Sequence, residues 1–149
     1  MAMTELSGST VIPMLAARDL QESRQFWRDT MGLEEVWADE KEGEAAFKAG
    51  RSVFALYEHE GGSRADHTQL TFQVPDVRQT KQALEQQGIR FEEYDLPNVK
   101  TEGGVAKMGE YEGAWFTDPG GNIIAIITES PRMLDAIGAR GQMSGAGVR

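Results

Sequence analysis

Arg18-Asp19-Leu20-Gln21-Glu22-Ser23-Arg24-Gln25-Phe26-Trp27 and Pro75-Asp76-Val77-Arg78-Gln79-Thr80-Lys81-Gln82-Ala83-Leu84 are one phrase written twice. From the aspartate onward both read Asp, aliphatic, polar, Glu/Gln, hydroxyl, basic, Gln, apolar, apolar. Each stretch carries its own helix-start signal. Asp19 and Asp76 stand as N-caps, with Glu22 and Gln79 three residues on to complete a capping box. Gly32 and Gly88 follow where a left-handed C′ residue is wanted. The offset between the copies is 57 at the aspartates and 56 at the glycines, so the second copy is one residue shorter. Leu20, Phe26, Trp27 and Met31 form an apolar stripe at helical spacing, as Val77, Ala83 and Leu84 do in the second copy.

Working outward, strands flank each helix. The pattern places them at 10–16, 33–38, 44–49 and 51–58 around the first helix. Around the second it places them at 68–74, 89–96, 113–118 and 122–128, the last two joined by the turn Asp118-Pro119-Gly120-Gly121-Asn122. Each half therefore reads strand–helix–strand–strand–strand. Residues 97–112 have no counterpart of similar length in the first half and read as a long loop or flap. The tail, 130–149, changes composition, with a short helix expected over 131–137 and glycine-rich disorder beyond it.

Alternation sorts the side chains into two faces. Phe54 and Leu56, then Leu70, Phe72 and Val74, then Ile124 and Ile126 form bulky, uninterrupted rows suited to packing under the helices. The opposite rows are Val53, Ala55 and Tyr57; Gln69, Thr71 and Gln73; and Ile123, Ala125 and Ile127. Buried amides without partners cost about 1–3 kcal/mol each, so this mixed row suits a wet or ligand-lined concave face.

Composition limits what such a face can do. The 149 residues carry 24 Asp+Glu against 15 Lys+Arg, a net charge of −9, and no Cys. The absence of cysteine removes disulfides, thiolate metal sites and a Cys nucleophile. The acidic balance argues against nucleic acid, which needs a basic stripe. No apolar run of membrane-spanning length and no signal-peptide pattern occurs. The expectation is a soluble, cytoplasmic chain with a single domain over 1–129, its modules at 10–60 and 67–128.

The repeated unit, the helix stretch continuing through Arg28-Asp29-Thr30-Met31-Gly32-Leu33, and Trp115-Phe116-Thr117-Asp118-Pro119-Gly120-Gly121-Asn122 together resemble the vicinal oxygen chelate superfamily. That group contains glyoxalase I, bleomycin-resistance proteins and extradiol dioxygenases, and the likeness covers about residues 10–128. It implies an α+β fold of two βαβββ modules, their mixed sheet curled around a cleft, and a homodimer. Metal-dependent members place a His, Glu or Gln ligand on the first, fourth, fifth and eighth strands. Counted from the matching motifs, those positions are Ile12, Ala55, Gln69 and Ala125. One amide among three apolar residues does not make a transition-metal site, so no metal and no cofactor is expected. The function implied is binding of a small aromatic or cationic molecule in a metal-free cleft, as in sequestration of an antibiotic. The expected lining is Ile12, Val53, Ala55, Tyr57, His67, Gln69, Thr71, Trp115 and Ala125. The alternative is a metal-dependent lyase, isomerase or dioxygenase using displaced donors drawn from His59, His67, Glu58, Glu110 and Glu112. Trp37 and Tyr111 are further flat contact surfaces.

Overall fold

A computed structural model describes residues 5–138. After a short 3-10 turn at Glu5–Gly8, the first half runs β1 (Met14–Ala17), α1 (Leu20–Gln25), β2 (Glu34–Asp39), β3 (Glu44–Ala49) and β4 (Ser52–Glu58). The second half runs β5 (Thr68–Val74), α2 (Val77–Gln86), β6 (Asp95–Leu96), β7 (Val99–Glu102), β8 (Val105–Met108), β9 (Tyr111–Thr117) and β10 (Ile123–Thr128). It ends in α3 (Pro131–Ala136). The strands form a four-stranded sheet in the order β1-β4-β3-β2 and a six-stranded sheet in the order β5-β10-β9-β8-β7-β6. In each, the strand before the helix pairs in parallel with the last strand of its half, and the other neighbours are antiparallel. The fold is mixed α+β, and the two halves repeat one path.

The aspartates cap as expected. Glu22 N donates to Asp19 Oδ1 at 3.1 Å and Gln79 N to Asp76 Oδ1 at 3.0 Å. Gly32 and Gly88 take φ of 75° and 93°, the left-handed region that glycine enters without a Cβ penalty. The helix ends differ, and the one-residue offset is the reason. Asp19 and Gly32 are 13 residues apart and Asp76 and Gly88 are 12 apart. The extra residue of the first copy is absorbed in a π turn at Phe26–Thr30, where Met31 N donates to Phe26 O. The second copy closes on the paired bonds Gly88 N to Glu85 O and Ile89 N to Leu84 O.

Two sequence expectations are corrected. The first strand begins at Met14 rather than Thr10, because Pro13 has no N–H to give the ladder; it contributes only its carbonyl, which accepts from Ala55 N at 2.9 Å. After α2, residues 89–94 make only isolated bonds, Glu92 N to Trp115 O and the pair linking Tyr94 with Thr101, and β6 is two residues long. The strand that matches β2 in sheet order is β8, so most of the expected 97–112 loop is hydrogen-bonded sheet. The Thr101 hydroxyl and the Gly104 N–H, both donating to the Glu93 carboxylate, fix that extra hairpin and hold the acid below its usual pKa. The expected helix in the tail is α3; residues 139–149 lie outside the described residues.

The bulky rows of both sheets share one core. Leu15, Phe47, Phe54 and Leu56 of the first sheet join Phe116, Ile124 and Ile126 of the second around Trp27, which is fully buried. The Trp27 ring lies 5.0 Å from Phe54 and 5.9 Å from Phe72, so one side chain bridges the halves. The turn at 118–122 clasps them further. Asn122 Nδ2 donates to Ala16 O at 2.8 Å and to the Asp118 carboxylate, which also accepts from Trp27 Nε1 at 3.3 Å. Burial pushes the Asp118 carboxyl above its ordinary value, against the pull of those donors. Backbone contact here is so close that a Cβ on Gly120 would sit 2.3 Å from Ala16 O.

Candidate ligand-binding site

Because the bulky rows meet in the shared core, the small and polar rows face away from it. The expected site residues consequently divide between two surfaces. On the first sheet Ala55 stands opposite Met14 and Ala46, and Tyr57 stands opposite Ala16 and Glu44. Ala16, Ala46 and Ala55 make a low floor, flanked by Met14, Trp37 and Tyr57, each more than a third exposed. Val53 shares this strand at its start, and Ile12 lies in the exposed chain before β1.

On the second sheet Thr71 is opposite Ala125, and Ala125 is opposite Trp115. Trp115 and Ala125 are buried, packed with Ala106 under Tyr94 and Val99. Trp115 Nε1 donates to Thr68 Oγ1 at 3.0 Å, and the Tyr94 ring meets the indole edge-on at 5.7 Å. Burial raises the Tyr94 pKa, keeping the phenol neutral. Gln69 Oε1 accepts from Ser63 Oγ and from Ile123 N, so the oxygen of this amide finds its partners inside the protein itself. His67 is exposed before β5, with Nδ1 3.7 Å from Asp66 Oδ1.

Beyond Trp115 the same face opens into a groove of about 720 Å³. Gln73, Thr71 and Ile127 form its floor, Met108 and Tyr111 one side, and Thr128, Ser130, Pro131 and Arg132 the other. Of the expected lining, Thr71 alone borders it. Gln73 and Ile127 sit on the row that strand alternation had marked as mixed, so their signal was present in the sequence. The α3 wall carried no such signal. It is placed by tertiary bonds: Glu129 N donates to Val74 O, Ser130 N to Gln73 Oε1 at 2.8 Å, and Ser130 Oγ caps the helix by accepting from Met133 N. Gly113 helps to shape the far side, since a Cβ there would press Met108 Cε and the Trp115 ring at 3.0 and 3.1 Å.

The family's metal positions do not fit an ion. Ile12, Ala55 and Ala125 offer no donor atoms, Ala125 is wholly buried, and the Gln69 oxygen already has two donors. The displaced donors are not gathered either. Glu58 Oε2 accepts from Leu20 N at 3.4 Å, Glu112 pairs with Arg78 at 2.9 Å, and among the described residues no three His, Asp or Glu side chains are grouped to hold a metal.

Known proteins agree with this architecture. The sequence model of the Glyoxalase/Bleomycin resistance protein/Dioxygenase superfamily matches residues 10–126, and the chain belongs to that superfamily. A crystal structure of lactoylglutathione lyase from Agrobacterium tumefaciens is 26% identical, with a TM-score of 0.58, covering 80% of this chain and 93% of that one. A bleomycin-binding protein complexed with bleomycin is 17% identical with a TM-score of 0.61, covering 82% and 99%. The fosfomycin resistance protein FosX from Listeria monocytogenes is 14% identical with a TM-score of 0.61, covering 83% and 95%. No protein of curated function matches the sequence. Among the described residues no helix is long and apolar enough to cross a membrane.

Proposed function

We propose that this chain binds a small molecule with a flat, largely apolar body in the groove between the second sheet and α3, without a metal at the family positions. The groove carries this reading. Its volume falls within the roughly 300–1,000 Å³ of small-molecule sites, and it combines apolar walls with a few neutral polar groups, the usual composition of such sites. Met108, Tyr111 and Ile127 supply the apolar contact, and the Thr71 hydroxyl and the Gln73 amide nitrogen the polar atoms that orient a ligand, while the Thr128 hydroxyl is taken by the Glu112 backbone. Among the described residues no carboxylate lines it, which favours the aromatic over the cationic ligand class. The likeness to a bleomycin-binding protein holding its ligand supports a binding role within this superfamily.

The chain acts as a homodimer in this reading. The first-sheet face, with Met14, Trp37 and Tyr57 uncovered, is the apolar surface that a second copy occupies. Sedimentation should then give a dimer, and a monomer at working concentration overturns that part.

The groove itself is tested with the neutral fluorophore N-phenyl-1-naphthylamine. Saturable binding is expected, weakened about tenfold or more by Thr71→Trp, which fills the floor from an exposed position. Purified protein should carry far less than one Fe, Zn, Ni or Mn per chain. Binding indifferent to Thr71→Trp, or a stoichiometric transition metal, sinks the reading.

A further inference from the structure

Among the described residues one charged side chain lines the groove, and it is a cation without a partner among them. Arg132 borders the cavity beside Pro131 and Ser130, and among the described residues its guanidinium makes no ion pair or hydrogen bond. Among the described residues Arg51, Arg64 and Arg90 also lack a carboxylate partner, and Arg132 differs from them in bordering the groove. Arg24 takes Glu35 and Glu40, Arg28 takes Asp29 and Glu35, and Arg78 takes Glu112. Glu110 and Glu112 flank Tyr111 in sequence; Glu112 is paired with Arg78, and among the described residues no acid borders the cavity.

The position of Arg132 is fixed rather than incidental. Glu129 N to Val74 O and Ser130 N to Gln73 Oε1 tie the start of α3 to β5, and proline occupies its first turn. Those bonds place the backbone that carries Arg132 at the groove, and its exposed side chain borders the cavity together with Met108 and Tyr111.

We propose that the groove selects ligands with a single oxyanionic head, which Arg132 receives in its planar two-pronged fork while the flat body lies on Ile127, Met108 and Tyr111. This rests on the binding role assigned to the groove above and adds the sign of the ligand's charge. The acidic surface elsewhere does not forbid an anion. Screening limits the reach of exposed charges to about 8 Å at physiological salt, so the adjacent guanidinium dominates the field at the head group.

Two dyes that share a skeleton test this. 8-Anilinonaphthalene-1-sulfonate carries an oxyanion, and N-phenyl-1-naphthylamine lacks it. The sulfonate should bind about three- to tenfold more tightly, a preference that shrinks with added salt. Arg132→Gln should bring the sulfonate down to the level of the neutral dye, a loss much larger than any change in the neutral dye's own affinity, and Arg132→Lys should retain part of the preference. Displacement by 1-naphthoate or 1-naphthyl phosphate then tells which oxyanion is favoured. Sulfonate affinity equal in wild type and Arg132→Gln overturns the inference while leaving the groove reading intact, provided Thr71→Trp still weakens both dyes. Saturable binding of neither dye overturns both.

Discussion

The outer faces of the two sheets start from the same path and end as different surfaces. In the first half the alanine floor at 16, 46 and 55 is bordered by exposed Met14, Trp37 and Tyr57, and no element among the described residues crosses it. In the second half Tyr94 and Val99 fold over Trp115 and Ala125, and α3 walls in what remains. Two additions cause the divergence: the β6–β7 hairpin and the helix after β10. A duplicated unit fixes which side chains look outward, whereas its added segments decide which of them stay reachable.

The strongest way to break this picture is to attack the core that makes the faces point apart. Trp27→Ala should cost about 3–5 kcal/mol in urea unfolding and lower both halves together in one transition. Two separable transitions, with only the first half weakened, would show that the halves fold independently and that their faces are not locked back to back.

A smaller effect tests the clasp between them. Gly62 has φ of 67°, and a Cβ there would lie 2.3 Å from Gly120 O; Gly50 has φ of 59° with open space around it. Gly62→Ala should cost about 2 kcal/mol or more beyond Gly50→Ala, since both carry the left-handed strain but only one meets backbone from the other half. Equal losses would reduce the clasp to ordinary turn strain.

The smallest effect sharpens the contrast in pH. Arg24, hydrogen-bonded to Glu35, holds that carboxyl below its ordinary value. Its contribution is present above the unfolded pKa and is lost as pH falls through the lower folded value. Arg24→Gln should therefore cost about 1 kcal/mol near neutral pH and flatten the loss of stability between about pH 5 and pH 3. Asp118 works in the opposite sense: burial raises it, so its contribution is largest in acid and falls as pH rises through the raised folded value. An unchanged acid limb in Arg24→Gln would remove Glu35 from that account.

Much of this was legible before any coordinates. Asp19 and Asp76 cap, Gly32 and Gly88 terminate, and the rows led by Phe54, Phe72 and Ile124 go inward, because capping and alternation are local properties of the backbone. The one-residue offset between the copies was visible as well, although only the structure turned it into a π turn. The candidate site was less legible. Gln69 looked free to meet a ligand, but Ser63 Oγ and Ile123 N satisfy it; Trp115 looked like a cleft wall, but Tyr94 covers it. Those partners lie far away in sequence or across strands, where no periodicity records them.

The amino-acid order by itself determined the repeated unit, the helix ends and the two faces of each sheet. Each follows from a residue's own chemistry and its nearest neighbours. Tertiary structure alone decided that the bulky faces meet around Trp27, that Tyr94 and Val99 lie over the second face, and that Arg132 is carried to the groove by bonds between β5 and the start of α3. Those outcomes depend on packing between distant segments, where the free energy of burying one surface selects which other surface is left open.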